Sequence, residues 1–303
     1  MNLLYFLEGI RIPGLNEFML GITYFGDEIA FLVTALILFW CVDKKQGYYI
    51  LSVGFVGTLA NQFMKLWFRV PRPWVLDSNF TILEQAREAA TGYSFPSGHT
   101  QNAVGTFGGI AYTSSNKVIK IVCIALAVLV PVSRMYVGVH TPLDVVVAAA
   151  MALVLILVFR PLVLGNRGKY FPVMMGIMTL LAVAYLCFVE FYHFPADVDP
   201  HNLLSGKKNA YTLMGCMIGL LIVYFMDGKW LHFEVKAIWW AQIIKVVLGL
   251  GIVLAVKSGM KGILDSVFGE AVGRGVRYFL IVSVAGILWP MSFKYFAKLG
   301  KKE

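Results

Sequence analysis

Residues 118–163 read VIKIVCIALAVLVPVSRMYVGVHTPLDVVVAAAMALVLILVFRPLV, and this stretch decides the class of fold. Two long apolar runs flank a short polar segment, Ser133 to Asp144, that contains an arginine, a histidine and an aspartate. An apolar run of about 20 residues is long enough to cross a bilayer as a helix. Ionisable side chains beside such a helix are costly and usually have a function. The stretch therefore predicts two membrane helices joined by a functional link.

The rest of the chain has the same apolar character. Of its 303 residues, 59% are hydrophobic and only 14% are charged, which is unlike the composition of a soluble globular protein. Apolar runs of spanning length recur along the sequence and leave no room for a large soluble domain. We predict an all-α integral membrane protein with nine spanning helices. These are expected at about 17–41, 47–67, 99–114, 118–136, 141–163, 171–191, 210–226, 237–256 and 275–295.

The net charge of +9 does not indicate a nucleic-acid partner. The basic residues sit in short loops between apolar runs instead of on one soluble face, which is a pattern of membrane topology. The four cysteines show no Cys-x-x-Cys spacing and are interpreted as packing residues. Residues 1–13 lack the pattern of a cleaved signal peptide and are expected to lie in the membrane interface.

The distribution of basic residues predicts the orientation in the membrane. Cytoplasmic loops are enriched in Lys and Arg, so the side with more of them is expected to be cytoplasmic. The loop of residues 68–98, the start of the third span and the link before the fifth span all fall on the other side. That loop is long enough to form a small cap. The residues counted as cytoplasmic are Lys44, Lys45, Lys117, Lys120, Arg160, Arg167, Lys169, Lys229, Lys236, Lys294, Lys298, Lys301 and Lys302.

The run Pro96-Ser97-Gly98-His99 opens the third span. Free backbone N–H groups and the helix dipole favour an anion at such a helix start. Gly98 would let a phosphate approach the backbone closely, Ser97 adds a hydroxyl donor, and His99 can transfer a proton. The alternative interpretation of this tetrapeptide is an ordinary helix start.

Three cations are expected on the same outer face, namely Lys65, Arg72 and Arg134. A mixture of an ammonium point charge and planar guanidinium forks suits phosphate binding. The alternative is that they are interfacial cations whose charged ends snorkel to the lipid headgroups. We prefer that alternative for Arg69 and Arg87.

His140 precedes Thr141-Pro142, which predict a helix cap and first turn. Asp144 follows four residues after the histidine. This spacing lets the carboxylate approach one ring nitrogen and fix the tautomer, so that the other nitrogen can attack an electrophile. A satisfied His–Asp pair at a helix start is the alternative.

Together these segments resemble the three signature motifs of the type 2 phosphatidic acid phosphatase superfamily. The resemblance covers about residues 17–191 and implies a six-helix phosphatase core. We therefore expect a membrane phosphatase domain at 1–191, with its interfacial segment, and an extension of about three further spans at 192–303. The matching residues are Lys65, Arg72 and Pro73 in the first motif, Pro96 to His99 in the second, and Ser133, Arg134, His140 and Asp144 in the third.

The resemblance also implies a mechanism. His140 would attack phosphorus to give a phosphohistidine, Asp144 would orient it, and His99 would protonate the leaving oxygen and then activate water. No metal or other cofactor is expected, since no second carboxylate stands near Asp144 as a two-metal site would need. The residues implied to hold the phosphoryl oxygens are Lys65, Arg72, Ser97, Gly98 and Arg134.

The sequence thus predicts a metal-independent membrane phosphatase with its site on the extracytoplasmic side of the cell membrane. The expected substrate is a lipid phosphate or diphosphate, such as polyprenyl diphosphate, phosphatidylglycerophosphate or phosphatidic acid, because its tails can stay in hydrocarbon. A soluble sugar phosphate stays open. Two other functions also stay open, a lipid phosphotransferase and a transporter or binder of a phosphate-bearing ligand. The sequence does not fix the oligomeric state.

A second histidine motif, His193-Phe-Pro-Ala-Asp197, repeats the pattern around His140. Cys187 stands where the first copy has Arg134, so the phosphate-binding arginine is missing and we interpret this segment as a solvated loop. Asp199 and His201 nearby could make a weak metal site, but no known ligand spacing supports one.

Charges inside other predicted spans have no role in this scheme. Asp27 and Glu28 are expected to pair with an outer cation, because an intramembrane charge is usually paired. Lys245 is either buried or snorkelling. The basic residues of the loop 257–277 are interpreted as interfacial, with an accessory anion patch as the alternative.

Overall fold

The computed structural model describes residues 1–88, 90–166 and 168–299, and these residues form helices, turns and loops without a β-strand. Arg167, Lys301 and Lys302, which entered the orientation prediction, lie outside the described residues. The all-α prediction is confirmed. In chain order the helices are α1 Asn2–Gly9, α2 Pro13–Thr23, α3 Glu28–Ile37, α4 Lys44–Phe68, α5 Pro73–Leu76, α6 Gly98–Ala103, α7 Gly109–Thr113, α8 Lys117–Tyr136, α9 Pro142–Val163, α10 Phe171–Phe191, α11 Pro200–Met226, α12 Trp239–Gly259, α13 Lys261–Phe268, α14 Glu270–Ser283 and α15 Phe293–Phe296.

Six helical segments of the described chain are long and apolar enough to cross a membrane. The chain is therefore a multi-span membrane protein. The last three segments follow residue 192, as predicted for the C-terminal extension. The six are Lys117–Tyr136, Pro142–Val163, Gly168–Phe191, Pro200–Leu231, Trp239–Phe268 and Glu270–Phe296.

The first predicted span, 17–41, is not one straight helix. Pro13–Gly26 and Glu28–Val42 qualify only as a pair, and they are bent by 55° at Asp27. Counting this pair as one span raises the number of candidates to seven. The prediction of an unbroken helix was wrong because the bend depends on packing that the hydropathy of the sequence does not report.

Two other predicted spans, 47–67 and 99–114, are helical, but they are too polar or too short to be candidates for crossing a membrane. The second runs from α6 through a π-helical turn, Val104–Gly108, into α7. Both helices place polar side chains on one cavity instead of on lipid, which explains the low hydropathy. These side chains include Asn61, Gln62, Lys65, His99, Gln101 and Asn102.

The chain divides into two compact units. The first consists of Met1–Thr34, Ile50–Pro161 and Phe194–Gly206, and it contains all the predicted site residues. The second consists of Ala35–Tyr49, Leu162–His193 and Lys207–Glu303. The proposed domain boundary near residue 192 stays a prediction, since compactness is a different criterion from evolutionary or folding independence.

In the first unit, α1 packs on the loop of residues 68–98 and on the end of α8. Leu4 is fully buried beside Phe80 and Ile82, and Leu7 packs against Val137. Burial of such side chains stabilises the contact by about 1.5–3 kcal/mol each. The N-terminal segment is thus fixed to the link that carries His140, while its predicted place in the membrane interface stays a prediction.

In the second unit, Lys245 is fully buried, which answers the question left open by the sequence. Its ammonium group donates to the carbonyl oxygens of Trp40, at 2.8 Å, and Val235, at 2.9 Å. The basic residues after helix α12 also have local partners: Arg277 lies 3.7 Å from Asp265, and Arg274 Nε donates to a threonine hydroxyl. These contacts give Arg274 and Arg277 a structural role that neither alternative included, and the interpretation of the other basic residues as interfacial stays a prediction.

Candidate active site

The three charged segments meet around one cavity of about 320 Å³ in the first unit. α4 contributes Lys65, the following loop contributes Arg72, and the start of α6 contributes Gly98 and His99. His140 reaches the cavity from the link between α8 and α9. The other three predicted residues, Ser97, Arg134 and Asp144, are buried and do not line the cavity.

His140 and Asp144 form a buried pair, with exposed side-chain fractions of 2% and 1%. His140 Nδ1 lies 3.4 Å from Asp144 Oδ2, and the same carboxylate oxygen accepts from the backbone N–H of Thr141 at 2.8 Å. Ser94 Oγ donates to it at 2.6 Å. Three donors therefore hold the carboxylate in place beside the ring.

The tautomer of His140 follows from its two sides. Arg72 Nη1 lies 3.0 Å from His140 Nε2, and a guanidinium group can only donate hydrogen bonds. Nε2 must therefore accept, which places the ring proton on Nδ1, facing Asp144. The electron pair of Nε2 therefore points towards Arg72 and away from the carboxylate.

Arg72 is held mainly by backbone carbonyl groups. Nη2 donates to Thr91 O at 2.7 Å, Nε to Gly92 O at 3.2 Å, and Nη1 to Val139 O at 2.9 Å. Burial lowers the pKa of Arg72 to about 10, so the group is still a cation at neutral pH. Lys65 Nζ donates to the carbonyl of Tyr93 in the same loop.

Burial and neighbouring positive charge act on His140 in the same direction. Desolvation, followed by the charges of Arg72 and Lys65, lowers the pKa of His140 well below its usual value of 6.5. Both effects disfavour the imidazolium form. The ring is consequently neutral at pH 7, and neutrality is what a nitrogen nucleophile needs.

Arg134 is fully buried near the end of α8. Its Nη1 donates to Thr23 Oγ1 at 2.6 Å, whereas Nε and Nη2 have no hydrogen-bond partner among the described residues. A buried donor without a partner costs about 1–3 kcal/mol, and more when it is charged. Arg134 is thus a buried cation whose hydrogen-bonding groups are only partly satisfied.

The start of α6 is tied to the histidine pair through its backbone. Ser97 N donates to Asp144 O at 3.1 Å, while Ser97 Oγ accepts from Thr100 N at 3.4 Å as a helix cap. The hydroxyl of Ser97 therefore has the structural role that the sequence left as an alternative. A Cβ at Gly98 would meet only Asn61 Oδ1, at 3.8 Å. The glycine is not required by crowding from the protein, so the space above it is open.

One glycine in the link before His140 is required by the backbone. Gly138 has φ +88, in the left-handed region that suits glycine. A Cβ there would also come within 2.9 Å of Arg11 Nη2 and 3.0 Å of Phe80 Cε1. The turn at Gly138 follows the end of α8 at Tyr136 and lets the chain bring His140 to the cavity.

Three side chains join the site that the motifs did not include. Ser94 donates to Asp144, and Asn61 Nδ2 donates to Pro96 O at 3.2 Å. Asp27 Oδ1 lies 2.7 Å from His99 Nε2. The sequence marked Asp27 as an intramembrane charge but predicted a cation as its partner. Ser94 had a weaker signal, its position just before the Pro-Ser-Gly-His run.

The second histidine motif does not form a comparable site. His193 and Asp197 are both exposed. Asp197, Asp199 and His201 line a separate cavity of about 640 Å³ together with Arg69 and Arg87. Within the described residues, no three His, Cys, Asp or Glu side chains are grouped as a metal site would require. Metal independence stays a prediction about the reaction.

Comparison with known proteins agrees with the motifs. Residues 45–168 match the sequence model of the PAP2 superfamily, and residues 211–302 match that of the PAP2 superfamily phosphatase, transmembrane extension. No solved structure matches the chain significantly.

Among curated proteins, the chain is similar to phosphatidylglycerophosphatase B of Bacillus subtilis, with 32% identity over 160 residues, or 48% of this chain and 74% of that protein. It is 34% identical over 137 residues to an undecaprenyl-diphosphatase of Sulfolobus acidocaldarius, which covers 45% of this chain and 65% of that protein. It is 30% identical over 146 residues to undecaprenyl-diphosphatase BcrC of B. subtilis, with 46% and 72% covered. These matches and the geometry of the site lead to one assignment: the chain belongs to the PAP2 superfamily and is a multi-span membrane phosphatase, a phosphoric ester hydrolase with the superfamily's transmembrane extension.

Proposed function

We propose that this protein hydrolyses a lipid phosphate or diphosphate through a phosphohistidine on His140. The observation that carries the proposal is the fixed tautomer of His140, whose Nε2 accepts from Arg72 while Nδ1 faces Asp144. His99 lines the same cavity as His140. A nucleophile and a proton carrier that line one cavity suit a two-step phosphoryl transfer through a covalent intermediate.

In the first step, the electron pair of His140 Nε2 attacks phosphorus. The bond from phosphorus to the leaving oxygen breaks, its electron pair stays on that oxygen, and His99 gives it a proton. His140 becomes positively charged when Nε2 is phosphorylated, and Asp144 beside Nδ1 stabilises that charge.

In the second step, His99 takes a proton from water and the resulting hydroxide attacks the phosphohistidine. The bond between phosphorus and Nε2 breaks, and its electron pair returns to His140. Phosphate leaves, and the histidine is neutral again. His99 has regained the proton that it gave in the first step, so that both residues return to their starting forms.

The remaining predicted residues would stabilise charge on the phosphoryl oxygens. Lys65, Arg72 and Arg134 supply positive charge, and the two unpaired donors of Arg134 support a role for its charge near the cavity. We assign the backbone N–H of Gly98 and the hydroxyl of Ser97 to the same group, with the hydroxyl donating while its oxygen caps α6.

Two observations support a lipid as substrate. The site lies in a protein that crosses the membrane several times, so a headgroup phosphate can reach it while the tails stay in hydrocarbon. The relatives named above are a phosphatidylglycerophosphatase and two undecaprenyl-diphosphatases. Phosphatidylglycerophosphate, polyprenyl diphosphate and phosphatidic acid are the candidates to compare.

The test is phosphate release by the detergent-purified protein with a chelator present, across those three lipids and one sugar phosphate. We expect release from at least one lipid at a rate that the chelator does not change, and slower release from the sugar phosphate. Binding without release would contradict the proposal and point to a transporter. Consumption of the lipid only after an acceptor alcohol is added, with the phosphorylated alcohol as product instead of free phosphate, would point to a phosphotransferase. Loss of activity in chelator that returns with a metal would contradict metal independence.

We further propose that the site faces the extracytoplasmic side of the cell membrane. α8 has 20 residues and spans about 30 Å, so its ends, Lys117 and Arg134, belong to opposite faces. In a background with the four native cysteines replaced by serine, Arg87→Cys is expected to react with a membrane-impermeant maleimide in intact cells. Lys117→Cys is expected to react only after lysis. The reverse pattern would overturn the orientation.

A further inference from the structure

The break in the first spanning pair places a carboxylate at His99. The first half of the pair ends in a short 3₁₀ turn, Tyr24–Gly26. Asp27 is extended, with φ −68 and ψ 153, and α3 begins at Glu28. Asp27 Oδ1 lies 2.7 Å from His99 Nε2, with exposed side-chain fractions of 33% and 15%. The two atoms are in contact without the angles of an aligned hydrogen bond, and the contact becomes an ion pair when His99 is protonated.

The break is packed against the residues that it serves. A Cβ at Gly26 would lie 2.9 Å from both Cβ and the carbonyl oxygen of His99. Glycine therefore lets the backbone of the break approach α6 directly. Asn102 Nδ2 donates to Gly26 O at 3.2 Å. Steric fit and a hydrogen bond thus fix the position of Asp27 relative to His99.

The charges around His99 make a carboxylate useful. Burial is the largest cause that lowers the pKa of His99, and the charges of Arg134 and Arg72 lower it further, whereas Asp27 acts in the opposite direction. A leaving-group acid must be protonated before the reaction begins. A carboxylate close to the ring favours the protonated form. Asp27 is such a carboxylate, and it lies on the first spanning pair, whereas neither arginine does.

We propose that Asp27 is a positioning residue that orients His99 and stabilises its protonated form for departure of the leaving group. Because Nε2 faces Asp27, Nδ1 is the atom that delivers the proton. The leaving oxygen keeps the electron pair of the breaking bond and accepts this proton. The inference rests on the proposed function, since it gives His99 the task of a general acid. It extends the site to the first spanning pair, which lies outside residues 45–168.

The test compares two phosphate monoesters by kcat/KM, which reports steps up to departure of the leaving group and not breakdown of the phosphohistidine. An aryl ester such as p-nitrophenyl phosphate leaves without needing a proton, whereas an alkyl phosphate requires one. For Asp27→Asn we expect a loss of about 10–100-fold with the alkyl ester, the size typical of a supporting carboxylate. We expect a loss of less than about 3-fold with the aryl ester, since general acid catalysis adds little there.

Control variants separate the possible failures. Glu17→Gln changes an exposed acid on α2 and is expected to leave both rates as in the parent. Asp27→Glu retains the charge and is expected to recover most of the alkyl ester rate. Equal losses of Asp27→Asn on both esters, or no loss, would overturn the inference. His99→Ala is measured in parallel. If His99→Ala loses the same factor of kcat/KM on both esters, the proposed function fails. If His99→Ala loses more on the alkyl ester but Asp27→Asn does not, only the inference fails.

Discussion

Replacing His140 with alanine is expected to lower kcat/KM for the best lipid substrate by about 10⁴-fold or more, as when other enzymes lose a nucleophile. The proposed mechanism has no other group that can form the covalent intermediate. His140 is buried, and its Nε2 is the atom presented to Arg72 and the cavity. Phosphate release over time, with thermal unfolding measured alongside, separates loss of chemistry from loss of fold.

His193→Ala is the matched control, because His193 has the same Pro and Asp spacing but is exposed. It is expected to be as active as the parent. An acid-labile phosphoryl label on the protein should form with a labelled substrate in the parent and be absent in His140→Ala. Full activity of His140→Ala, or inactivity of His193→Ala with an intact fold, would contradict the assignment of the nucleophile.

The same histidine should set the acid limb of the pH profile. Because the pKa of His140 is lowered well below 6.5, the neutral nucleophile persists as pH falls and is lost only below that value. The substrate phosphate itself titrates near pH 6, so its ionised fraction is measured by ³¹P NMR and kcat/KM is corrected for it. The corrected kcat/KM should stay high as the pH falls through 6.5. A fall in the corrected kcat/KM with an apparent pKa of 6.5 or above would contradict a desolvated His140.

Replacing Arg134 with methionine is expected to lower kcat/KM by about 10²–10³-fold, the usual effect of removing a donor to developing charge. The Tm without ligand is expected to be no lower than that of the parent. Arg134 is fully buried with two donors unpaired, and replacing a poorly compensated buried charge by an apolar side chain is often neutral or stabilising. Activity and stability should therefore move in different directions.

Inorganic phosphate provides the second measurement. It is expected to raise the Tm of the parent by an amount that grows with the logarithm of its concentration above Kd, and to do so much less in Arg134→Met. Arg274→Met is the matched control, because Arg274 also donates to a threonine hydroxyl but belongs to the second unit. It should retain both activity and the phosphate response. A large fall in the Tm of Arg134→Met would instead assign that residue a structural role.

The meeting of the three motifs could be predicted from the sequence, and the reason is topological. Each lies at one end of an apolar run, and alternation across the membrane allows only two sides for those ends. Lys65, Gly98, His99 and His140 line one cavity for this reason. Spacing within a single helix start also predicts the approach of Asp144 to His140, since residues four apart lie on one face.

The partners of these residues could not be predicted, because they depend on contacts between distant segments. Asp27 was recognisable as a charge that needs compensation, but its histidine partner is set by the bend of 55° and the close approach at Gly26. Ser94 and Asn61 contact the site through loop geometry. Hydropathy likewise overestimated the spans, because α4 and α6 face a polar cavity and not lipid.

The polarity of those two helices has a consequence for how the protein is made. During synthesis, segments such as α8 and α9 can enter the bilayer on the strength of their own apolar side chains. The segment from Gly98 to Thr113 is short, and it carries His99 and Gln101. If it entered the bilayer alone, these polar side chains would face hydrocarbon. We therefore expect its entry to depend on the elements that contact it, Tyr24–Gly26 before it and α8 after it. Assembly of the catalytic pocket and integration into the membrane are, for this segment, one event.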